Sequence, residues 1–427
     1  MNQNRSGDLD FIALNESYRQ VRSQSEKLCQ PLITEDFVVQ SMPDVSPPKW
    51  HLAHVSWFFE VFVLEPYSPG YRSFDPQFNY LFNSYYQGIG TPFPRARRGL
   101  LTRPSVADVY RYRAYVDEHM EALIAQLQRH REYLNIQALI TLGLNHEQQH
   151  QELLLTDIKH IFAQNPLLPE YCHMNHDQNS PDPTAALHWT KISGGKVDIG
   201  HEGDGFCFDN ESPRHEVLLN DFALTDRLVT NAEYLQFIED GGYQNPLLWL
   251  SDGWATRQRE GWESPLYWRK KDDQWQFYTL GGLKPLVPHE PVCHVSYYEA
   301  DAFAAWAGKR LPTESEWEYA AGQQTMVTGN FMDSARFHPQ PANSGERLTQ
   351  LFGDVWEWTL SPYIPYPGYR TPQGAIGEYN GKFMCNQIVL RGGSCATPAD
   401  HIRNTYRNFF YPHNRWQFMG FRLASES

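Results

Sequence analysis

Apolar residues recur at helical spacing in four segments of the first part of the chain. These segments are 10–28, 49–64, 105–128 and 135–162. Such a repeat predicts helices, and the second segment is apolar almost throughout, as expected for a buried helix. Ser105 and Asp108 have the spacing of a capping box at the start of the third segment. Four long helices with connections of varied length indicate a helical bundle.

The pattern changes after these helices. Asn, Asp and Pro are frequent over 166–187, which favours a linker. From residue 188 onward, short strand-like runs alternate with glycine turns, and helical spacing is limited to 231–239 and 297–308. We therefore predict an α domain followed by an α+β domain, with a helical bundle over 1–165, a linker over 166–187 and a second domain over 188–427.

Composition limits the classes of partner. The chain has 36 Lys and Arg residues against 50 Asp and Glu residues, which gives a net charge of −14. This balance, without a long basic run, argues against nucleic acid or an anionic membrane as partner. No apolar run reaches the roughly 18 residues of a membrane span, and the N-terminus lacks the apolar core of a signal peptide. Six cysteines without a Cys-x-x-Cys motif favour reduced thiols and a cytoplasmic location.

The fourth predicted helix carries His146 and His150, which lie four residues apart and therefore on one face. Imidazole is the commonest metal-binding side chain, so the pair predicts half of a metal site. With Glu147 between them, the motif also matches that of zinc metallopeptidases, in which the glutamate is the base. That interpretation lacks a third ligand at a characteristic position after His150, but a peptidase stays the alternative from another class of enzyme.

Two further histidines, His51 and His54, lie in the second predicted helix, which is otherwise too apolar for solvent. One of them is a candidate third ligand, and the spacing leaves the choice between them open. Three neutral imidazoles on an octahedral ion leave three positions free, an arrangement similar to the facial triad of non-heme Fe(II) oxygenases. A tetrahedral zinc ion with three histidines leaves one position free.

Longer motifs in both halves resemble one enzyme family, the ergothioneine-biosynthesis sulfoxide synthases, also called hercynine oxygenases. The first half is similar to DinB-type helical bundles through residues 50–54 and 146–152. The second half is similar to the formylglycine-generating-enzyme domain, a C-type-lectin-like α+β fold, through 291–296, 310–320, 353–358, 391–394 and 420–422. Both sets occur in the order typical of the family, and the resemblance covers nearly the whole chain.

The resemblance implies that His54, His146 and His150 bind Fe(II), and it leaves His51 for support of the ligands or for packing. It also implies that hercynine (Nα-trimethylhistidine), cysteine and O2 are the substrates. The cysteine thiol is joined to the hercynine imidazole, and the new thioether is oxidised to a sulfoxide. No second cysteine follows Cys395, unlike the reactive pair of formylglycine-generating enzymes, so the second half is expected to supply pocket walls.

The long connection before the third helix carries two tyrosines and several arginines. This chemistry needs a proton donor, and tyrosine stays protonated at neutral pH. Tyr85 and Tyr86 resemble the tyrosine pair of one subgroup of the family, and both are candidate donors. Arginine clamps carboxylates with paired hydrogen bonds. By resemblance to the same subgroup, we expect Arg95 and Arg98 to hold the carboxylate of cysteine.

The trimethylammonium group of hercynine donates no hydrogen bond and is held by aromatic faces through cation–π attraction. A segment near the C-terminus resembles the family segment that faces this group, and its candidate residues are Asn414, Trp416 and Phe418. Gln149 lies between the two helix ligands, on a face from which it could reach the bound imidazole or carboxylate.

Sister reactions on the same scaffold stay open. A selenosugar in place of cysteine would give selenoneine, and unmethylated histidine in place of hercynine would give ovothiol-type coupling. γ-Glutamylcysteine is a further candidate donor. The alternative to an enzyme is a non-catalytic protein, a lectin-like binding module with a vestigial bundle. The presence of all three presumed metal ligands argues against this alternative.

Overall fold

The computed structural model of the protein describes residues 3–173, 187–342 and 348–426. The chain forms two compact units, Met1–Asn165 with Gln373–Tyr379 and Pro166–Pro372 with Asn380–Ser427. The first unit therefore includes a short segment from late in the sequence. Of the predicted linker, residues 174–186 lie outside the described residues. Just before them, the backbone N–H groups of Tyr171 and Cys172 donate to the carbonyl oxygen of Leu280 within the second unit.

The first unit is built from helices. They are α1 (Gln3–Cys29), α2 (Pro48–Phe59), α3 (Glu65–Tyr67), α4 (Phe78–Phe82), α5 (Val106–Ile124) and α6 (Tyr133–Gln164). A π-helical turn, Glu60–Leu64, continues α2, and 3₁₀ turns cover Thr34–Val38, Arg95–Leu100 and Leu127–Arg129. The long helices α1, α2, α5 and α6 confirm the four predicted segments. Among the helices in the described part of the chain, none is long and apolar enough to cross a membrane.

Local sequence determines where these helices begin and how closely they pack. The Ser105 hydroxyl accepts from the backbone N–H of Asp108 at 3.2 Å, and the Asp108 carboxylate accepts from that of Ser105 at 2.9 Å, so the predicted capping box starts α5. Helices α2 and α6 approach closely at Gly143, where a Cβ atom would lie 2.5 Å from the ring of Phe59. Glycine here lets the two histidine-bearing helices come together, and every residue of α2 is buried.

The described part of the second unit combines short strands with short helices. The strands are β1 (Trp189–Ile192), β2 (Gly195–Ile199), β3 (His215–Leu219), β4 (Phe222–Thr225), β5 (Trp268–Lys271), β6 (Gln274–Thr279), β7 (Gly282–Pro285), β8 (Trp356–Pro362), β9 (Ile388–Arg391), β10 (Asn408–Phe410), β11 (Met419–Gly420) and β12 (Ala424–Glu426). The helices are α7 (Asn231–Glu239), α8 (Ser251–Glu260), α9 (Tyr297–Trp306) and α10 (Glu314–Ala321).

These strands form sheets of order β1–β4–β12, β10–β9–β8–β11, β2–β3 and β5–β6–β7. Pairing is antiparallel except between β11 and β8. The α+β arrangement confirms the predicted fold class of the second domain. Helices α8 and α10 were not among the predicted helices. The sequence of α8 is largely polar, and this helix ends at Gly261, which adopts the left-handed conformation at φ 66°.

Buried ion pairs stabilise the second unit. Arg422 lies 2.6 Å from Glu357, and Arg391 lies 2.8 Å from Glu318, with almost no exposure of any of the four side chains. Removing one partner of such a pair costs about 3–5 kcal/mol. Both arginines belong to motifs of the second half noted in the sequence, so those motifs act in folding.

Candidate metal centre

Three histidines from two helices converge in the first unit. His54 lies on α2, and His146 and His150 lie one turn apart on α6. One ligand atom of each lies within 4.8 Å of the others, and the Nε2 atoms of His54 and His146 are 3.2 Å apart. Two nitrogen ligands of one ion, each about 2.0–2.1 Å from it, are separated by about 3 Å when they are adjacent. The structure therefore brings the three expected ligands together.

The ring of His54 is held by a backbone carbonyl and two indoles. Its Nδ1 atom donates to the carbonyl oxygen of Phe82 at 2.6 Å, which leaves the electron pair of Nε2 available. The rings of Trp50 and Trp57 lie 4.6 and 5.5 Å from the imidazole, at angles of 14° and 16°. Because these tryptophans lie about one helical turn before and after His54, the imidazole is placed between two aromatic planes.

His51, the alternative third ligand, contacts a ligand instead of joining the set. Its Nδ1 atom lies 2.8 Å from Nδ1 of His150, and its Nε2 atom lies 3.0 Å from Oδ2 of Asp157. Oδ2 of Asp157 also accepts from the backbone N–H of Ser46 at 2.8 Å. His51 therefore connects the ligand His150 to a buried carboxylate.

Burial keeps the three imidazoles uncharged. It lowers the pKa of His146 to about 3, and burial together with the neighbouring histidines lowers the pKa of His54 and of His150 well below the usual range. The buried Nδ1 atom of His146 has no hydrogen-bond partner among the residues that the structure describes. Neutral imidazole is the form that binds metals, so this donor set fits a divalent transition-metal ion, Fe(II) included.

Glu147 adjoins His146 in sequence but faces other partners. Its carboxylate accepts from Arg22 at 2.9 Å, from Arg113 at 3.1 Å and from the Ser25 hydroxyl at 2.7 Å. Burial alone would raise the pKa of Glu147, but the two guanidinium charges and the hydrogen bonds lower it to about 2. A carboxylate held in this way is a weak base, which argues against a peptidase.

The predicted tyrosine pair lies beside the stack on His54. Tyr86 is fully buried, its hydroxyl accepts from that of Tyr85 at 3.5 Å, and the two rings stack at 4.6 Å. The Tyr86 ring lies 5.6 Å from Trp57. Burial first, and then the nearby Tyr85 and Tyr379, raise the pKa of Tyr86 well above its usual range, so its hydroxyl stays protonated.

A third tyrosine, Tyr379, comes from the late segment of the first unit. Its hydroxyl donates to Oε1 of Gln149, and its ring lies 5.7 Å from that of His146. The preceding residue, Glu378, accepts from two backbone N–H groups of the loop just after Tyr86, at 3.1 and 2.8 Å. The late segment is thus attached to the loop that carries the tyrosine pair.

The two expected arginines differ in burial. Arg95 is exposed and donates to the carbonyl oxygen of Asp44. Arg98 is buried, its guanidinium lies 3.3 Å from the centre of the Trp50 ring, and NH1 donates to Oγ of Ser46 at 2.8 Å. Among the described residues, no carboxylate forms an ion pair with Arg98, and its buried Nε atom has no partner. Burial, with the charge of Arg95, lowers the pKa of Arg98 well below its usual range.

The three candidate residues near the C-terminus belong to the second unit and are almost fully buried: Asn414, Trp416 and Phe418. The Trp416 ring contacts Phe410 at 6.0 Å, and the Phe418 ring contacts His294 at 5.0 Å. Their contact with a trimethylammonium group stays a prediction.

Two family models match the chain. The family model of the DinB superfamily matches residues 17–154, and that of the sulfatase-modifying factor enzyme 1-like domain matches 176–348 and 340–427. The chain is 33% identical to the hercynine oxygenase of Mycolicibacterium thermoresistibile, over 90% of its own length and 88% of that protein. The chain belongs to the hercynine oxygenase family.

Other relatives match over different lengths. Identity is 32% to the hercynine oxygenase of Mycolicibacterium smegmatis, over 90% of this chain and 92% of that protein. It is 26% to the formylglycine-generating enzyme of Streptomyces coelicolor, over 57% of this chain and 91% of that enzyme. The hercynine oxygenases thus match most of the chain, whereas the formylglycine-generating enzyme matches little more than half.

The sequence of this hercynine oxygenase family member did not identify two residues near the three histidines, Asp157 and Tyr379. Asp157 follows His150 by about two helical turns, a spacing that places both on one face of α6, so helical periodicity could have found it. Tyr379 comes to Gln149 from far along the chain, and no local pattern pointed to it.

Proposed function

We propose that the protein is a non-heme Fe(II)- and O2-dependent sulfoxide synthase of ergothioneine biosynthesis. It joins the thiol of cysteine to the imidazole of hercynine and oxidises the new thioether. One oxygen atom of O2 enters the sulfoxide, and the other leaves as water with the hydrogens of the broken S–H and C–H bonds. The observation that carries the proposal is the three-histidine set near Arg98, a buried guanidinium that forms no ion pair within 4.0 Å of a carboxylate among the described residues.

The metal ion is assigned to His54, His146 and His150. Bound there, Fe(II) would supply coordination sites for the thiol and O2 and take part in the electron transfers of the reaction. Because the three imidazoles carry no charge, they would leave the 2+ charge of the ion uncompensated, and that charge would favour binding of the thiol as a thiolate. The indoles of Trp50 and Trp57 cover the two faces of His54 and limit access of water to that ligand.

Arg98 is assigned to the carboxylate of cysteine. A buried guanidinium is costly unless an anion joins it, and an arginine can clamp a carboxylate with two hydrogen bonds. Trp50 lies between this arginine and the metal site, because its indole contacts the Arg98 guanidinium and stacks on His54. Cysteine carries a carboxylate for this guanidinium on the carbon atom next to the one that bears its thiol. A selenosugar has no carboxylate for Arg98.

The proton donor is assigned to the group formed by Tyr85, Tyr86 and Tyr379. The hydroxyl of Tyr86 keeps its proton because the residue is buried. The hydroxyl of Tyr379 donates to Gln149, the residue that precedes the ligand His150. A positioned acid contributes about 10²–10⁴-fold to a rate. Of the three single Tyr→Phe variants, the one that replaces the donor is therefore expected to lose about 10²–10⁴-fold in kcat.

Gln149 is assigned to the binding of hercynine. The Gln149 side chain lies at the metal ligands and accepts from Tyr379, so its amide N–H groups can donate to the imidazole or carboxylate of hercynine. For the trimethylammonium group, the candidates stay Asn414, Trp416 and Phe418, and they rest on the family resemblance alone.

The proposal is tested with protein reconstituted with Fe(II) under anaerobic conditions and then given hercynine, cysteine and O2. We expect consumption of O2 and a product whose mass equals that of the hercynine–cysteine sulfoxide. Replacing cysteine by γ-glutamylcysteine or a selenosugar, and hercynine by histidine, identifies the preferred pair. Absence of product with every pair, from protein that retains its iron, would overturn the proposal.

Arg98→Ala tests the carboxylate site, and Arg97→Ala is the matched control because Arg97 is an exposed neighbour in the same 3₁₀ turn. Hydrogen bonds to charged groups contribute about 1.5–3 kcal/mol, so Arg98→Ala should raise the KM for cysteine about 10–100-fold. The KM for hercynine should not change, and Arg97→Ala should change neither value. An unchanged KM for cysteine in Arg98→Ala would exclude this carboxylate site.

A further inference from the structure

A buried chain of polar groups leads from the metal ligand His150 to a carboxylate that is not itself a ligand. We propose that His51 and Asp157 are positioning residues that fix the tautomer and orientation of His150 for metal binding. The proposal rests on the three-histidine metal site of the proposed function. The sequence left His51 for support of the ligands or for packing; the structure adds Asp157 and indicates which ligand the two residues support.

The first step of the inference concerns the direction of the hydrogen bonds. A carboxylate only accepts, so Nε2 of His51, 3.0 Å from Asp157, is the donor of that pair. Nδ1 of a neutral His51 then lacks a proton and accepts from Nδ1–H of His150, 2.8 Å away. In a neutral His150 with its proton on Nδ1, the electron pair of Nε2 is available to a metal ion. Asp157 thus determines, through His51, which nitrogen of His150 is the ligand atom.

The second step concerns how firmly this chain is held. His51 is 4% exposed and Asp157 is 2% exposed, so water does not compete strongly for these bonds. The backbone N–H of Ser46 donates to the same carboxylate oxygen that contacts His51, at 2.8 Å. Asp157 is therefore fixed by backbone as well as by side chain.

The third step concerns the fold. Helix α2 carries the ligand His54 and, one turn earlier, the supporting His51; helix α6 carries the ligand His150 and, two turns later, the supporting Asp157. Each helix thus contributes a ligand and a support, and the close approach at Gly143 brings both pairs together. Metal-bound histidines usually donate their second ring N–H to a carboxylate, carbonyl or water, and such partners contribute about 10–100-fold to metal affinity. Here an imidazole is inserted between the ligand and the carboxylate.

The test is titration of metal-free protein with Co(II), followed by calorimetry and by the visible absorption bands of the bound ion. His51→Leu removes both hydrogen bonds, whereas His51→Gln retains a donor and an acceptor on one amide group. Asp157→Asn retains the volume and removes the charge. His119→Gln is the matched control, because His119 is a half-buried histidine of α5 whose Nδ1 atom donates to the carbonyl oxygen of Tyr115 at 2.8 Å.

We expect Co(II) affinity to fall about 10–100-fold in His51→Leu and about tenfold in Asp157→Asn. His51→Gln should bind more tightly than His51→Leu, and His119→Gln should bind as the parent does. The absorption bands should shift in His51→Leu. Thermal unfolding of each metal-free variant shows whether it is folded. If His51→Leu is not folded, the proposal is tested by the Co(II) affinity of Asp157→Asn.

Unchanged Co(II) affinity in folded His51→Leu or in Asp157→Asn would overturn the proposal, as would equal affinities of folded His51→Leu and His51→Gln. The Co(II) titration does not measure product formation. If the proposed reaction does not occur, the Co(II) affinities are unaffected; if His51 and Asp157 do not position His150, the result of the reaction assay is unaffected.

Discussion

Substitution of Glu147 by glutamine distinguishes a structural carboxylate from a catalytic base. In the structure this side chain is fully buried and accepts hydrogen bonds from Arg22, Arg113 and Ser25. Glu147→Gln keeps the shape of the side chain but removes the charge between two buried guanidinium groups. We expect a large loss of stability and no direct effect on the chemistry.

The size of the loss follows from the pKa of Glu147. Each pKa unit corresponds to about 1.4 kcal/mol, so lowering the pKa from 4.5 to about 2 corresponds to about 3 kcal/mol of stabilisation. Removing one partner of a buried ion pair costs about 3–5 kcal/mol. Because Arg22 keeps Asp117 at 2.7 Å and Arg113 keeps Glu26 at 3.3 Å, we expect the lower end, about 3 kcal/mol.

The assay is urea unfolding of metal-free protein at neutral pH, followed by the helical circular dichroism signal. Glu118→Gln is the control, since Glu118 is an exposed glutamate of the first unit, and its effect should stay below about 0.5 kcal/mol. A lowered carboxyl pKa stabilises the folded state fully above the unfolded value of 4.5 and progressively less as the pH falls towards about 2. The difference between parent and Glu147→Gln should shrink over that interval.

Two results would contradict this interpretation. A Glu147→Gln protein as stable as the parent would show that the ion pairs contribute nothing. A stable, metal-loaded Glu147→Gln protein without activity would show that the carboxylate takes part in the reaction, as in a metallopeptidase.

Three further predictions concern single positions. His54→Ala should lose Fe(II) on anaerobic gel filtration, as shown by metal analysis, because two histidines one turn apart remain as ligands; full retention of iron would remove His54 from the site. Gly143→Val should lower the unfolding free energy by about 1–3 kcal/mol, because its Cβ would meet the Phe59 ring at 2.5 Å; a thermal unfolding midpoint equal to that of the parent would contradict this close contact. Gln149→Leu should raise the KM for hercynine and not that for cysteine in steady-state O2 uptake, and an equal rise in both would count against its assignment to hercynine.

Much of the fold could be predicted from local pattern. Helical periodicity predicted α1, α2, α5 and α6, and the Ser105–Asp108 capping box starts α5 as expected. The spacing of His146 and His150 was sufficient to place both on one face of a helix. These features depend only on residues that are close together in the sequence, so the sequence alone is sufficient to predict them.

Other features depend on tertiary packing. His51 and His54 lie in the same buried helix, and only the approach of α6 determines that His54 meets His146 while His51 meets His150. The 3₁₀ turn Arg95–Leu100 buries Arg98 and exposes Arg95 and Arg97, which no periodicity indicated.

The segment that brings Tyr379 to the first unit is a second such feature. Gln373–Tyr379 follows most of the second unit in sequence yet packs with the helical bundle. Its contacts, from Tyr379 to Gln149 and from Glu378 to the loop after Tyr86, join residues more than two hundred positions apart. Long-range contacts of this kind leave no local signature.

The decisive measurement is mass spectrometry of the product formed under isotopically heavy dioxygen by Fe(II)-loaded protein with hercynine and cysteine. We predict a hercynine–cysteine sulfoxide that carries one heavy oxygen atom, and none of this product from His54→Ala. A sulfoxide that contains only light oxygen, or equal product from His54→Ala, would contradict the proposed oxygenase reaction at the three histidines.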